Sequence, residues 1–185
     1  MSSERHFPNI IITGTPGCGK TSHCEMLVGM LAEVKHFSIS DIAKERKCIA
    51  AHDKLRDCDI VDEDKLLDEI EDDLEEGGIL VDWHACEIFP ESLIDLVVVL
   101  RCKTDVIYDR LTERGYKNSK IQENLDVEIM EIIVEEARDN YDSSIIVELE
   151  SNTMEDLEQN CDKISKWFYN FPTNSENDYL RGITS

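Results

Sequence analysis

Gly14-Thr15-Pro16-Gly17-Cys18-Gly19-Lys20-Thr21 is the stretch whose reading decides the fold. It has the form G-x-x-x-x-G-K-[ST], in which glycines let backbone N–H groups turn inward around phosphate oxygens. In such a loop the lysine, here Lys20, reaches the β and γ phosphates, and the hydroxyl that follows, Thr21, ligates magnesium. Before it, Asn9-Ile10-Ile11-Ile12-Thr13 reads as a strand buried on both faces. After it, Met26, Leu27, Met30 and Leu31 recur at helical spacing, which predicts a helix over 20–31. An ordinary glycine-rich turn is the alternative reading. Strand, glycine loop and helix in that order favour the phosphate loop, and so binding of a nucleoside triphosphate.

Outward from the loop, apolar runs alternate with helical patterns, as in a parallel α/β sheet. Residues 35–39, 79–82, 94–100 and 144–149 read as the remaining strands. A charged, uneven helix is expected from Asp41 to about Ala51. A stronger one covers 64–74, with Leu66, Leu67, Ile70 and Leu74 as its stripe and Gly77-Gly78 as its stop. Thr104 to Arg114 is a helix broken at Gly115. Residues 116–123 show no apolar period and read as a polar insert, followed by one helix over 125–141. Asn152 or Thr153 caps a last helix to Phe168, and the polar tail 172–185 reads as mobile.

Three further features bear on chemistry. Asp82 ends an apolar strand after the phosphate loop, the usual place of a second magnesium-side carboxylate, although strand ends and helix caps also favour Asp. His84 lies two residues on, hence on the same face of an extended chain. It either orients a water or senses the γ-phosphate, or it is structural. Arg110 and Arg114 share a helix face at i and i+4, just before a break followed by Lys117 and Lys120. This pattern suits a lid closing over phosphates; salt bridges to Asp109 and Glu113 are the alternative. Asp41 and Lys44 are candidates for the acceptor side of the cleft, with Arg46 beside them; Lys44 and Arg46 either face a second phosphate or pair with Asp41 and Glu45. Trp83, Phe89 and Tyr116 either line a base pocket or belong to the core.

Composition narrows the classes. A chain of 185 residues, 41% hydrophobic, can bury a proper core as one domain over 1–171. Its seven cysteines include no C-x-x-C pair, which argues against a disulfide framework or a zinc knuckle and for a reducing compartment. No targeting or membrane-spanning stretch is read, so a soluble intracellular protein is expected. The net charge of −22 is concentrated in runs such as Asp62-Glu63-Asp64 and Glu71-Asp72-Asp73. Such a surface repels phosphate backbones, which disfavours broad nucleic-acid binding. It either keeps the protein soluble or steers a basic protein partner.

Together these elements resemble the nucleoside monophosphate kinases, and most closely the atypical nuclear adenylate kinase family (adenylate kinase isoenzyme 6-like, coilin-interacting nuclear ATPase). The stretches that carry the likeness are P-N-I-I-I-T-G-T-P-G-C-G-K-T, D-C-D-I-V-D-E-D-K-L-L-D-E-I, G-G-I-L-V-D-W-H-A-C-E-I-F-P-E and L-T-E-R-G-Y, spread over residues 8–170. The resemblance implies a three-layer P-loop sandwich around a five-stranded parallel sheet. It also implies a monophosphate-binding insert at about 38–61 and a short lid at about 113–123. Carried over by position, Gly17, Gly19, Lys20, Thr21 and Ser22 hold ATP and Arg114 is the lid arginine; Cys18, within the loop, and Arg110, on the helix face of Arg114, are further candidates for ATP binding. Asp82 and His84 match a D-x-H motif, and Thr21 and Asp82 are the magnesium ligands. Lys44, Ser92 and Thr153 depart from positions where the family carries arginine or lysine, which implies a weaker hold on AMP.

The favoured expectation is transfer of the γ-phosphoryl group of Mg-ATP to AMP by a monomer, with ATPase activity and a role in small ribosomal subunit maturation in nucleus and cytoplasm. The resemblance, which is also the source of the ribosomal role, implies a second class, an ATPase-switched assembly factor gripping a basic ribosomal protein; the acidic surface fits it. A kinase for a non-nucleotide small molecule ranks third, since no residue pattern names its acceptor.

Overall fold

The computed structural model describes residues 5–54 and 58–171, so the tail 172–185 lies outside the described residues, as do 55–57 within the expected monophosphate-binding insert. The strands are β1 (Ile10–Gly14), β2 (Lys35–Ser38), β3 (Ile49–Asp53), β4 (Cys58–Val61), β5 (Ile79–Asp82), β6 (Leu96–Arg101) and β7 (Ile146–Glu150). The helices are α1 (Lys20–Met30), α2 (Ile39–Glu45), α3 (Glu63–Glu76), α4 (Thr104–Glu113), α5 (Asn118–Ile129), α6 (Ile132–Asn140) and α7 (Met154–Tyr169). Five strands form one parallel sheet in the order β2-β5-β1-β6-β7, as expected.

The near-continuous apolar strands follow from burial on both faces. In β1, Ile10 and Ile12 join the core under α1, α4 and α7, whereas Ile11 joins the core under α2, α3 and α6. The α3 stripe Leu66, Ile70 and Leu74 is fully buried, and Asp62 caps that helix by accepting from the Lys65 amide at 3.2 Å. Gly77 stops it with φ of 89°, where a Cβ would lie 2.3 Å from the Phe7 carbonyl oxygen. At the other end of the sheet Thr153 and Asp156 form a reciprocal capping box on α7.

Asn9 ties together the carboxyl-terminal turn of α3, the segment before β6 and the start of β5. Its amide nitrogen donates to the carbonyls of Leu74 at 2.6 Å and Leu93 at 2.8 Å, and its oxygen accepts from the Ile79 amide at 3.0 Å. The residue is fully buried, so water does not replace these partners in the fold. Asn9→Ala is therefore expected to cost about 3 kcal/mol, the scale of leaving buried backbone groups unpaired. Urea unfolding measures it, and a loss below about 0.5 kcal/mol, typical of a surface change, would refute the assignment.

Three expected segments are corrected. The charged helix expected over 41–51 stops at Glu45, and 49–53 pairs antiparallel with Cys58–Val61 as a separate hairpin. Lys47, at φ of 59°, makes the turn that frees the chain from the helix. The polar insert expected at 116–123 is mostly helical, since α5 begins at Asn118. The single helix expected over 125–141 is broken at Glu131, whose φ of 55° separates α5 from α6. The apolar period of α5 is thin because one of its inward positions is Glu128, a buried carboxylate.

Candidate active site

The sheet order reverses beside β1, so the carboxyl ends of β1, β5 and β6 leave a crevice there, the usual ligand site of an open α/β sheet. The glycine loop runs from the end of β1 to the start of α1 and forms one wall. Gly14, at φ of 146°, packs so tightly on β6 that a Cβ would meet the Leu100 carbonyl oxygen at 2.7 Å. A cavity of about 320 Å³ opens above the loop. Gly17, Gly19, Lys20, Thr21 and Ser22 face it from the loop, and Asp82, Trp83 and His84 from the end of β5. Ser38 and Ser40 line the β2–α2 side, and Arg114 and Tyr116 the turn between α4 and α5.

Within the cleft, Lys20 Nζ donates to the Gly14 carbonyl at 2.9 Å and the Thr15 carbonyl at 3.3 Å. Burial pushes its ammonium down, and the Arg114 charge adds to that, against the pull of Asp82. The Thr21 hydroxyl donates to Asp82 Oδ2 at 2.7 Å, and His36 Nε2 donates to the same oxygen at 3.0 Å. Burial alone would raise the Asp82 carboxyl; the bonds from His36 and Thr21 and the charge of Lys20 outweigh it, and Asp82 lies below its ordinary value. His84 is open to the cleft, yet the walls around it and the Lys20 charge push its imidazole down. It is therefore neutral at neutral pH, able to accept a proton.

Arg114 caps the end of α4 at the cleft rim, and neither it nor Arg110 is ion-paired among the described residues, so the salt bridges to Asp109 and Glu113 do not form. Arg110 does not line the cavity. Its guanidinium donates to the carbonyls of Gly17 at 2.9 Å, Ser151 at 3.0 Å and Asn152 at 3.1 Å, which clamps the phosphate loop to the β7–α7 turn. Cys18 is fully buried, and the neighbouring Cys102 together with burial pushes its thiol up.

The acceptor-side candidates are not brought to the cavity. Asp41 accepts from the Ser38 hydroxyl at 2.7 Å, and Lys44 lies 3.8 Å from Asp59 on the hairpin. Arg46 reaches α3, 3.0 Å from Asp73, and lies over the Phe37 ring. Trp83 and Phe89 are buried and packed edge to face; Trp83 also borders the cleft, as does Tyr116, whereas Phe89 belongs to the core alone.

A family model described as "AAA domain" matches residues 10–131. Among curated proteins, adenylate kinase isoenzyme 6 homolog HBR1 of Candida albicans is 56% identical over 174 residues, covering 89% of this chain and 70% of that protein. Homolog FAP7 of Saccharomyces cerevisiae is 52% identical, covering 90% and 85%, and the Dictyostelium discoideum homolog is 48% identical, covering 92% and 97%. The chain belongs to the adenylate kinase isoenzyme 6 family. A shikimate kinase structure from Bacteroides thetaiotaomicron matches at a TM-score of 0.54 and 14% identity, over 88% of this chain and 99% of that one, which shows the shared fold.

As a member of the adenylate kinase isoenzyme 6 family the chain is a P-loop protein of nucleotide-kinase type. Its donors suit the magnesium such proteins use: the Thr21 hydroxyl and the Asp82 carboxylate are adjoining hard oxygens.

Two supporting residues went unseen in the sequence. His36 carries no motif signal, being one polar residue of a short strand. Glu128 accepts from the Thr15 hydroxyl at 2.6 Å and from Arg101 Nε at 2.8 Å, fixing the loop to α5 and β6. In so acidic a chain nothing local separates Glu128 from solvated carboxylates. A second cavity, about 620 Å³, lies along β7 and α7 with Arg101, Lys103 and Lys163 among its walls. It is larger, but the glycine loop, Lys20 and Asp82 converge on the smaller one, and the chemistry belongs there.

Proposed function

We propose that the protein is an ATP:AMP phosphotransferase with ATPase activity, and that its physiological task is in small ribosomal subunit maturation. The observation that carries the reading is the single cleft into which Lys20, Thr21, Asp82, His84 and Arg114, the last without an ion pair among the described residues, all open. Phosphoryl transfer asks for positioning and charge neutralisation rather than a covalent nucleophile. The loop amides and Lys20 would hold the β and γ phosphates, phosphate oxygens taking the place of the Gly14 and Thr15 carbonyls at Nζ. Arg114 would spread the charge of the group in transit. Neutral His84 would orient the acceptor, or take a proton from an attacking water when no acceptor is bound. Thr21 and Asp82 would hold magnesium, which when bound screens the phosphate charge.

The acceptor side supports a weak AMP site. Ser38 and Ser40 offer hydroxyls there, whereas Lys44 is engaged by Asp59 and Arg46 by α3. ADP formation from ATP with AMP, CMP, GMP or UMP, with free phosphate followed in parallel, tests the reading. ADP arising from both ATP and AMP is the expected result. Phosphate release unchanged by AMP, with no AMP consumed, would sink the kinase reading.

The net charge of −22 favours a second reading, in which ATP turnover switches the grip on a basic ribosomal protein. It would predominate if AMP proved inert and phosphate release rose on adding such a protein. Nuclear and cytoplasmic location and a monomeric state are part of the proposal.

A further inference from the structure

Thr21 and Cys24 stand one turn apart on α1, so they share a helix face. That face turns toward the carboxyl ends of β2 and β5, where the Thr21 hydroxyl meets Asp82. Behind it, Cys24 is fully buried, and His36 approaches from β2 to donate to the same carboxylate at 3.0 Å. One ligand atom each from Cys24, His36 and Asp82 lies within 4.8 Å of the other two. Among the described residues these are the only three such side chains so gathered.

We propose that Cys24, His36 and Asp82 form a binding site for a thiophilic divalent cation of the zinc class, distinct in its donors from the oxygen site expected for magnesium. A thiolate, an imidazole and a carboxylate are the mixed set such cations take, with a fourth position left to water. Magnesium demands oxygen ligands and is not held by sulfur. Metal–ligand bonds of about 2.0–2.3 Å in a tetrahedron set ligand atoms about 3.5 Å apart. The present spacing, at most 4.8 Å, lies within about 1.3 Å of that value.

On binding, the Cys24 thiol proton passes to solvent, and an imidazole ligating through Nε2 carries its proton on Nδ1. Since Asp82 is shared, the bound cation withdraws that carboxylate from Thr21. This consequence rests on the phosphoryl-transfer reading above: a zinc-class ion would inhibit turnover.

The test uses the full chain, free of nucleotide, titrated with Co2+ as a spectroscopic stand-in and then with Zn2+ against a chromogenic chelator. One Co2+ per chain is expected, with a thiolate-to-cobalt charge-transfer band that Zn2+ abolishes. Cys24→Ser should lose the band and bind Zn2+ at least about 100-fold more weakly. His36→Gln should keep the band and lose at least about tenfold. Cys58→Ser, which removes the exposed thiol of the hairpin, should change neither. No thiolate band in the unaltered protein, undiminished Zn2+ affinity in Cys24→Ser, or a band lost with Cys58→Ser would each overturn the site. Should Cys24→Ser fail to fold, undiminished affinity in His36→Gln overturns it instead. No nucleotide enters these measurements, so the site stands or falls independently of the kinase reading.

Discussion

Lys20→Ala is expected to lower kcat for phosphoryl transfer by at least about 10³-fold, beyond the loss on removing one preorganised hydrogen-bond donor, because a full charge goes with it. The ammonium is already lodged in the loop, 2.9 Å from the Gly14 carbonyl, and burial makes its charge act through little solvent. Alanine supplies neither donor nor charge, while the glycine loop and the Arg110 clamp stay in place. The variant should therefore unfold at nearly the temperature of the parent protein and still fail to turn over. Single-turnover assays beside a thermal melt make the comparison. Near-normal turnover would remove Lys20 from the mechanism.

Asp82→Asn is expected to lower kcat/KM by about 10²-fold or more and to raise the magnesium concentration needed for half-maximal rate. The amide keeps the shape of the carboxylate and still accepts from Thr21, but it lacks the charge that a hard cation selects. A folding consequence has the opposite pH sense from a lysine or histidine. Folding holds the Asp82 carboxyl below its ordinary value. Its ionised form thus stabilises the protein above the ordinary carboxylate range, at about pH 4, and that contribution is lost as pH falls through the folded-state value. Asp82→Asn should flatten the acid limb of the stability curve. An unchanged magnesium requirement together with an unchanged acid limb would show that Asp82 holds neither role.

The five strands of the main sheet and most helices were legible because their signals are local. Ile10-Ile11-Ile12 can be so apolar only if both faces are covered, and each of the four stripe leucines and isoleucines of α3 repeats at the helical period. The glycines at 14, 17 and 19 announce a loop whose backbone must take left-handed or closely packed positions. What was misread had a tertiary cause. Residues 49–53 form a strand only because Cys58–Val61 pairs with them. α5 hides its inward face because Glu128 is buried there, neutralised by Arg101 and bonded to Thr15. Arg110 and Arg114 were read as one pair on one face, yet a single turn of helix sends the first behind the loop and leaves the second at the cleft rim.

By itself the sequence determined the phosphate loop, the parallel α/β order and the carboxylate at the end of β5, because spacing along a strand or helix is enough to specify each. Only the tertiary structure decided which side chains meet Asp82. His36 and Thr21 lie 46 and 61 residues away along the chain and arrive through strand register and helix docking. Charges at such separations acquire partners, or lose their water, only when the sheet brings their elements together.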